Sequence, residues 1–352
     1  MPTVASPAPR LARYAFLLFI ALIAVACSSG GTASPVASPA SPSTATPSVA
    51  APSQSASSPV ASPAAVTFPL HLIDDDGTAV TLPAEPQRIV SLTPAETEIL
   101  FALGAGDRVV GKVEDIANYP PEAADVPVMG RFDAVDVEQI VAADADLVLA
   151  GGGGGTPPEA IEQLRSLGIP VLVLYAESVD EDLGDIELTA AAVGRPAEGA
   201  ALVAEMRQKF DDIAAATEGL ERPRVFIETG NQPAVYGIAD DSVYAEMIQL
   251  AGGEAVTTGS ATNWEMPVER LVAEDPEIIL LADAAYGATA EEVSARPGWD
   301  VVSAVRDGAI HPIDDIVLTR PGPRLTEGLR LLVEALHPEV DLGEPSASPT
   351  GG

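Results

Sequence analysis

Residues 137–150 read VEQIVAADADLVLA, and residues 268–281 read VERLVAEDPEIILL. In each segment apolar residues recur at helical spacing and then form an unbroken run, which predicts a helix that leads into a buried strand. A second pair, RIVSLT at 88–93 and RVFIET at 224–229, lies at a similar offset (268 − 137 = 131 for the first pair, 224 − 88 = 136 for the second). The repeat therefore predicts two related α/β units in one chain.

Short apolar runs alternate with amphipathic segments on both sides of the repeat, a pattern typical of parallel sheets covered by helices. Between the two units, residues 181–193 and 196–217 are predicted helices, and the second is long enough, at roughly 33 Å, to join the units rigidly. We therefore expect an α/β fold of two Rossmann-like lobes with parallel sheets, joined by a long rigid backbone helix. The ligand cleft is expected between the lobes, beyond the carboxyl ends of the strands.

Changes in composition divide the chain into segments with different expected roles. These are a lipoprotein signal peptide (1–27), a disordered Ser/Pro/Ala/Thr tether (28–67), an N-terminal α/β lobe (68–177) that opens with a hairpin (68–83), connecting helices (178–220), a C-terminal α/β lobe (221–338) and a disordered tail (339–352). The Asp76-Gly77 pair marks the hairpin turn. The acidic run before it lacks the later ligands of a calcium loop.

The N-terminus has the pattern of an export signal. Arg10 and Arg13 precede the uncharged run YAFLLFIALIAVA at 14–26, which is shorter than the roughly 20 residues of a spanning helix. Cys27 follows small residues and is the single cysteine of the chain, so the sequence allows no internal disulfide. We expect lipidation of Cys27 and an extracytoplasmic protein anchored to the cell membrane. The alternative is an incidental cysteine beside an ordinary cleavage site.

The folded part is strongly acidic. The whole chain has a formal net charge of −34, and the residues after 67 hold 16 of the 18 cations and all 52 acids (16 − 52 = −36). Such a surface repels nucleic acid and anionic lipid head groups, so neither is an expected partner. The charge also favours a soluble monomer.

Candidate ligand-binding residues follow the predicted strands, because ligands of open α/β sheets bind beyond the strand ends. They are Thr93, Arg131, Phe132, Gly151, Gly152, Tyr236, Trp264, Tyr286 and Arg320. Trp264 suits a stacking wall or a structural plug, and each arginine suits a ligand acid or a structural ion pair. The run Gly151–Gly155 lacks the ending of a nucleotide-binding loop, so it is expected either to let a ligand approach the backbone or to form a plain turn.

Glu138 and Glu269 occupy equivalent positions in the two copies of the repeat, each in the first turn of its helix. One interpretation is a favourable interaction with the helix dipole. The other is that two acids, one per lobe, face a two-fold symmetric basic partner.

The folded part as a whole, about residues 70–337, resembles the ferric-siderophore and cobalamin-binding proteins of bacterial ABC importers. The resemblance is carried by the opening DDDGTAVTLPAEPQRIVSLTPAETEILFALGA, by the two copies of the repeat and by the closing GPRLTEGLRLLVEAL at 322–336. It implies two lobes bridged by a rigid helix, a bulky ligand such as a ferric siderophore, cobalamin or haem, and no cofactor of the protein's own. It also implies a dimeric permease with its ATPase as partner, contacted through Glu138 and Glu269.

Two other classes of function compete with transport. An anchored hydrolase is disfavoured because none of the three histidines lies beside a serine nucleophile motif or at metal-ligand spacing, so neither catalytic residues nor metal ligands are expected. A sensor or binding module of the same fold would not need both glutamates.

Overall fold

The computed structural model describes residues 65–131 and 134–343, and these form one compact unit. The predictions for the signal peptide, the lipidated Cys27, most of the tether, Phe132 and the end of the tail lie outside the described residues. No described helix is long and apolar enough to cross a bilayer.

Twelve strands are found in the described residues. They are β1 (Leu70–Ile73), β2 (Ala79–Leu82), β3 (Ile89–Ser91), β4 (Val109–Val113), β5 (Val128–Arg131), β6 (Ala134–Val135), β7 (Leu147–Gly151), β8 (Val171–Leu174), β9 (Arg224–Glu228), β10 (Glu254–Ala255), β11 (Ile278–Leu281) and β12 (Ile310–Pro312).

The helices of the same residues alternate with these strands. They are α1 (Pro94–Ala102), α2 (Val137–Ala142), α3 (Pro158–Ser166), α4 (Val179–Ala192), α5 (Pro196–Thr217), α6 (Val243–Leu250), α7 (Val268–Glu274), α8 (Ala290–Ser294), α9 (Ser303–Asp307), α10 (Asp315–Thr319) and α11 (Leu325–Leu336).

Two largely parallel sheets form the two lobes, which confirms the predicted fold class. The first has the order β6-β5-β4-β3-β7-β8, with antiparallel pairing between β5 and β6 alone, and the second has the all-parallel order β10-β9-β11-β12. The hairpin β1-β2 is antiparallel and precedes the first sheet. The sequence did not predict β6 or β10, each of which has two residues and too little pattern to detect.

The repeat is visible in the geometry. In each lobe the first strand pairs in parallel with the strand that follows the repeated helix: β3 with β7, and β9 with β11. Asp144 and Asp275 both adopt a left-handed conformation after that helix, with φ of 49° and 46°. Arg88 donates to the carbonyl of Ala143, and Arg224 donates to the carbonyl of the equivalent residue, Glu274. Equivalent arginines therefore hold equivalent helix ends in the two lobes.

One hydrophobic core runs through both lobes. Apolar side chains from one face of each sheet pack against α4, α5, α6 and α11, and α5 contributes Val203, Met206, Phe210 and Ile213 at helical spacing. Separate smaller cores cover the outer faces of the first and second sheets. The strands alternate between these cores: Ile89 and Leu147 point to the shared core, while Val90 and Val148 point outward.

Candidate functional site

A cleft of about 800 Å³ lies between the lobes. The first lobe contributes the start of α1, the turn after β7, the segment after β8 and the first turns of α4. The second lobe contributes the start of α6, Trp264, Tyr286 and the segment around α10. The volume lies within the range of small-molecule sites, about 300–1,000 Å³.

Most of the residues predicted from the strand ends do lie in this cleft. The lining includes Thr93, Gly151, Gly152, Trp264, Tyr286 and Arg320. They come together because parallel strands present their carboxyl ends at one edge of each sheet.

Arg131 and Tyr236 do not line this cleft. Arg131 ends β5 and lines a second, shallower depression of about 590 Å³ beside Glu138. Tyr236 forms isolated antiparallel bridges with Gly230 and Glu265, which fix its backbone within a loop of the second lobe. Both residues were predicted because they follow a strand in the sequence. That position does not show whether the chain then turns toward the cleft or away from it.

The glycine run makes a tight turn after β7, with positive φ at Gly153 and Gly154. A Cβ on Gly152 would lie 2.8 Å from the Cβ of Tyr175, and one on Gly151 would lie 2.5 Å from Cγ2 of Thr93. The protein's own side chains therefore require these glycines, whatever the ligand. The run also shapes the cleft wall, since four of its five residues line the cleft.

Thr93 and Glu96 lie at the start of α1, and both line the cleft. Thr93 caps α1 by accepting from the N–H of Glu96, and Pro94 occupies the first turn. The Glu96 carboxyl does not return to the cap as a capping box would. Its Oε2 is buried without a hydrogen-bond partner, and the residue lines the cleft.

Aromatic side chains stand on both sides of the cleft. Tyr175 and Tyr286 are strongly exposed. Trp264 makes an edge-to-face contact with Tyr244 at a centroid distance of 5.9 Å. Burial raises the pKa of Tyr244 to about 12, so it stays neutral. The cleft thus offers flat apolar surfaces with polar edges, which suit a large ligand with both kinds of surface.

Arg320 is held in structural ion pairs, which is one of the two roles that the sequence allowed. Its guanidinium donates to Glu98 at 2.6 Å and to Asp115 at 2.8 Å, and Arg324 donates to Glu98 at 2.7 and 2.9 Å. Burial alone would raise the pKa of Asp115, but the hydrogen bonds from Arg320 and from the N–H groups of Ala117 and Tyr119 lower it below its usual value. We call Glu98, Asp115, Arg320 and Arg324 the arginine cluster.

Acidic residues dominate the rest of the lining. They are Glu96, Glu114, Glu177, Asp182, Asp185, Asp240, Asp241 and Asp315, whereas Arg320 is the one basic residue of the described lining. Three of the acids, Glu96, Asp182 and Asp185, are buried together at the starts of α1 and α4, and we call them the acid cluster. Burial, reinforced for Glu96 and Asp185 by neighbouring carboxylates, raises the pKa of Glu96 and Asp182 to about 7 and that of Asp185 to about 9.

Sequence reasoning missed Tyr175, Tyr244 and the acid cluster. Tyr175 directly follows β8, so the strand-end rule could have found it. Asp182 and Asp185 lie on a helix that was assigned to the connection between the lobes, and no local signal distinguishes them from solvent-facing acids. Among the described residues, no group of three or more His, Cys, Asp or Glu side chains is arranged to hold a metal ion.

Both predicted docking residues are exposed in equivalent places. Glu138 lies in the first turn of α2 and Glu269 in the first turn of α7. Neither takes part in an ion pair within the described parts of the chain.

Two α/β lobes around an open cleft, with a continuous core behind it, define a bilobal ligand-binding protein. Residues 89–317 match the family model described as "Periplasmic binding protein", and the chain belongs to this family.

Known relatives cover most of the chain. It is 34% identical over 279 residues to an uncharacterized ABC transporter substrate-binding lipoprotein, YvrC, of Bacillus subtilis, a match that covers 78% of this chain and 87% of the relative. Among solved structures, the periplasmic haem-binding protein RhuT of Roseiflexus sp. RS-1 has a TM-score of 0.63 and 27% identity, with 72% of this chain and 99% of that chain covered. The periplasmic vitamin B12 binding protein BtuF of Vibrio cholerae has a TM-score of 0.62 and 25% identity, with 72% and 97% covered.

Proposed function

We propose that this protein is the solute-binding component of an ABC importer, and that its cleft captures a bulky metal chelate of the siderophore, cobalamin or haem type. The observation that carries the proposal is the cleft itself: about 800 Å³, open to solvent and walled by aromatic side chains from both lobes. Its size suits a large ligand better than a sugar or an amino acid. The names of the relatives support transport of this kind.

The protein carries out this role as an exported monomer anchored through a lipid on Cys27. The sequence around Cys27 supports the anchor, as does the lipoprotein name of the B. subtilis relative. A lipid anchor keeps the binding protein near its permease, which raises the effective concentration of one for the other.

Glu138 and Glu269 contact the permease in this proposal. Their exposure, their equivalent positions in the repeat and their lack of internal ion pairs support it. Two acids related by the pseudo-symmetry of the lobes can meet equivalent basic groups on a two-fold symmetric permease.

Ligand binding can be tested by thermal shift of the purified protein with cobalamin, ferric hydroxamates, a ferric catecholate and haem. A ligand present at 100 times its dissociation constant adds about 2.7 kcal/mol of stability, which raises the melting temperature by several degrees. We expect at least one chelate to do this. Unchanged melting with every chelate would contradict the proposal.

Permease docking has its own test, the double variant Glu138→Ala/Glu269→Ala. We expect unchanged ligand affinity, because both side chains lie outside the cleft lining, but uptake reduced at least tenfold in cells that depend on this protein. Glu159→Ala, which removes an exposed acid from the first turn of α3, is the matched control and should transport normally. Normal uptake by the double variant would rule out this docking site.

A further inference from the structure

The floor of the cleft in the first lobe is built from carboxyl groups. Glu96 comes from the start of α1, and Asp182 and Asp185 lie one turn apart on α4. These residues are 5%, 1% and 8% exposed, yet all three line the cleft. Asp75, from the hairpin, lies near Asp185 and helps to raise the pKa of that carboxyl.

Three carboxyl oxygens of the acid cluster have no hydrogen-bond donor. Oε2 of Glu96 and both carboxyl oxygens of Asp182 are buried without any hydrogen-bond partner. Buried polar atoms in folded proteins are nearly always paired, so an unpaired set at the floor of a binding cleft indicates that the occupant supplies the donors. The single basic residue of the described lining, Arg320, cannot supply them, because Glu98 and Asp115 already hold it.

We propose that the acid cluster binds a positively charged ammonium group carried by the ligand, so that the cargo is a cationic chelate rather than an anionic one. This inference rests on the proposed function, because it assigns the ligand class of the same cleft. An ammonium has three N–H donors and a full charge, which match several closely spaced carboxyl oxygens. A bare metal ion fits less well, because the described acids are not arranged as a metal site.

The electrostatics of the empty cleft agree with this assignment. The charged groups that act on Asp185 are Asp75, Asp182 and Glu96, and those acting on Glu96 are Asp182 and Asp75, all of them acidic. Burial and this mutual repulsion leave the cluster partly protonated near neutral pH. A bound ammonium would displace the protons held by the acid cluster and neutralise the negative charge of its carboxylates. An anionic ligand would add to the repulsion among them.

Two probes that differ in one charge test the proposal. Ferrioxamine B is a ferric trihydroxamate with a free primary ammonium, and its N-acetyl derivative keeps the chelate but loses that charge. Titration calorimetry on the purified protein should show ferrioxamine B binding about tenfold more tightly or better, the scale of a hydrogen-bonded charge pair. Equal affinity for the two probes would overturn the proposal.

Variants test whether the acid cluster causes the preference for ferrioxamine B over its N-acetyl derivative. In Glu96→Gln/Asp182→Asn/Asp185→Asn the amides keep the shape but not the charge, so the two probes should bind within about twofold of each other. Glu159→Gln removes a charge from the same lobe outside the cleft and should keep the full preference. A preference that survives in the triple variant, folded by circular dichroism, would also overturn the proposal.

Further probes separate this inference from the proposed function. If anionic ferric enterobactin binds and ferrioxamine B does not, chelate binding stands and the ammonium site is refuted. If spermidine binds with an affinity that the triple variant loses, while no chelate binds, the ammonium site stands and the cargo is a free polyamine. If no probe binds, the proposed function and the ammonium site are both refuted.

Discussion

Glu96 and Glu98 lie two residues apart on α1, and both are buried, but their surroundings are opposite. Glu98 accepts hydrogen bonds from Arg320 and Arg324 within the arginine cluster. Glu96 belongs to the acid cluster and has an oxygen without a partner. Because the two clusters share a helix and differ in their cations, the comparison separates carboxylates that hold the fold from carboxylates that, in our proposal, bind the ligand.

The arginine cluster joins the lobes. Glu98 and Asp115 belong to the first lobe, whereas Arg320 and Arg324 follow the last strand of the second sheet. Arg324 also stacks over the ring of Tyr119 at 3.9 Å. A buried charge that has lost its partner is strongly destabilising, so each member of this cluster depends on the others.

Neutralising the two glutamates in turn gives the largest contrast. Glu98→Gln leaves two partly buried arginines short of an anion and should lower the free energy of unfolding by about 3 kcal/mol. Glu96→Gln removes a buried acid whose pKa is about 7 and should raise that free energy by about 1–2 kcal/mol at pH 8. Urea unfolding of the ligand-free protein measures both, and effects of the same sign would break the comparison.

The pH dependence of stability gives a second contrast between the two clusters. The folded state raises the pKa of Glu96 to about 7 and of Asp185 to about 9, so it holds protons that the unfolded chain has lost. Their contribution is fully present below the unfolded pKa values, near 4, and is lost as the pH rises toward 7 and 9. Asp115, whose pKa is lowered, loses its contribution only in acid.

The ligand-free protein should therefore lose on the order of several kcal/mol of stability between pH 5 and 9 because of the acid cluster, since each unit by which a pKa rises is worth about 1.4 kcal/mol. The triple variant Glu96→Gln/Asp182→Asn/Asp185→Asn supplies the control, since its stability should depend less on pH in this range. Parallel profiles of the two proteins, measured by urea unfolding at each pH, would show that the cluster does not hold these protons.

The architecture was largely predictable because its signals are local or repeated. The predicted helix at 196–217 agrees with the bounds of α5. It is marked by apolar residues at helical spacing and by Pro196 in its first turn. The repeat added the long-range information, since two similar helix–strand units imply two similar sheets.

The site was predictable only where strand ends determine it. Thr93, Gly151 and Gly152 follow strands and line the cleft as expected. Arg320 forms ion pairs with residues 205 and 222 positions away in the sequence, and no local pattern reveals such partners. Asp182 and Asp185 look like ordinary acids on an exposed helix until the hairpin and α1 cover them.

The core that both lobes share has a kinetic consequence. Opening the lobes like a hinge would expose the apolar side chains of α5 to water, so the resting protein keeps its cleft formed and accessible. A ligand can then bind to a preformed site without a preceding conformational change. The association rate should be set by diffusion and by long-range attraction of cations to this acidic surface, and it should fall as ionic strength rises.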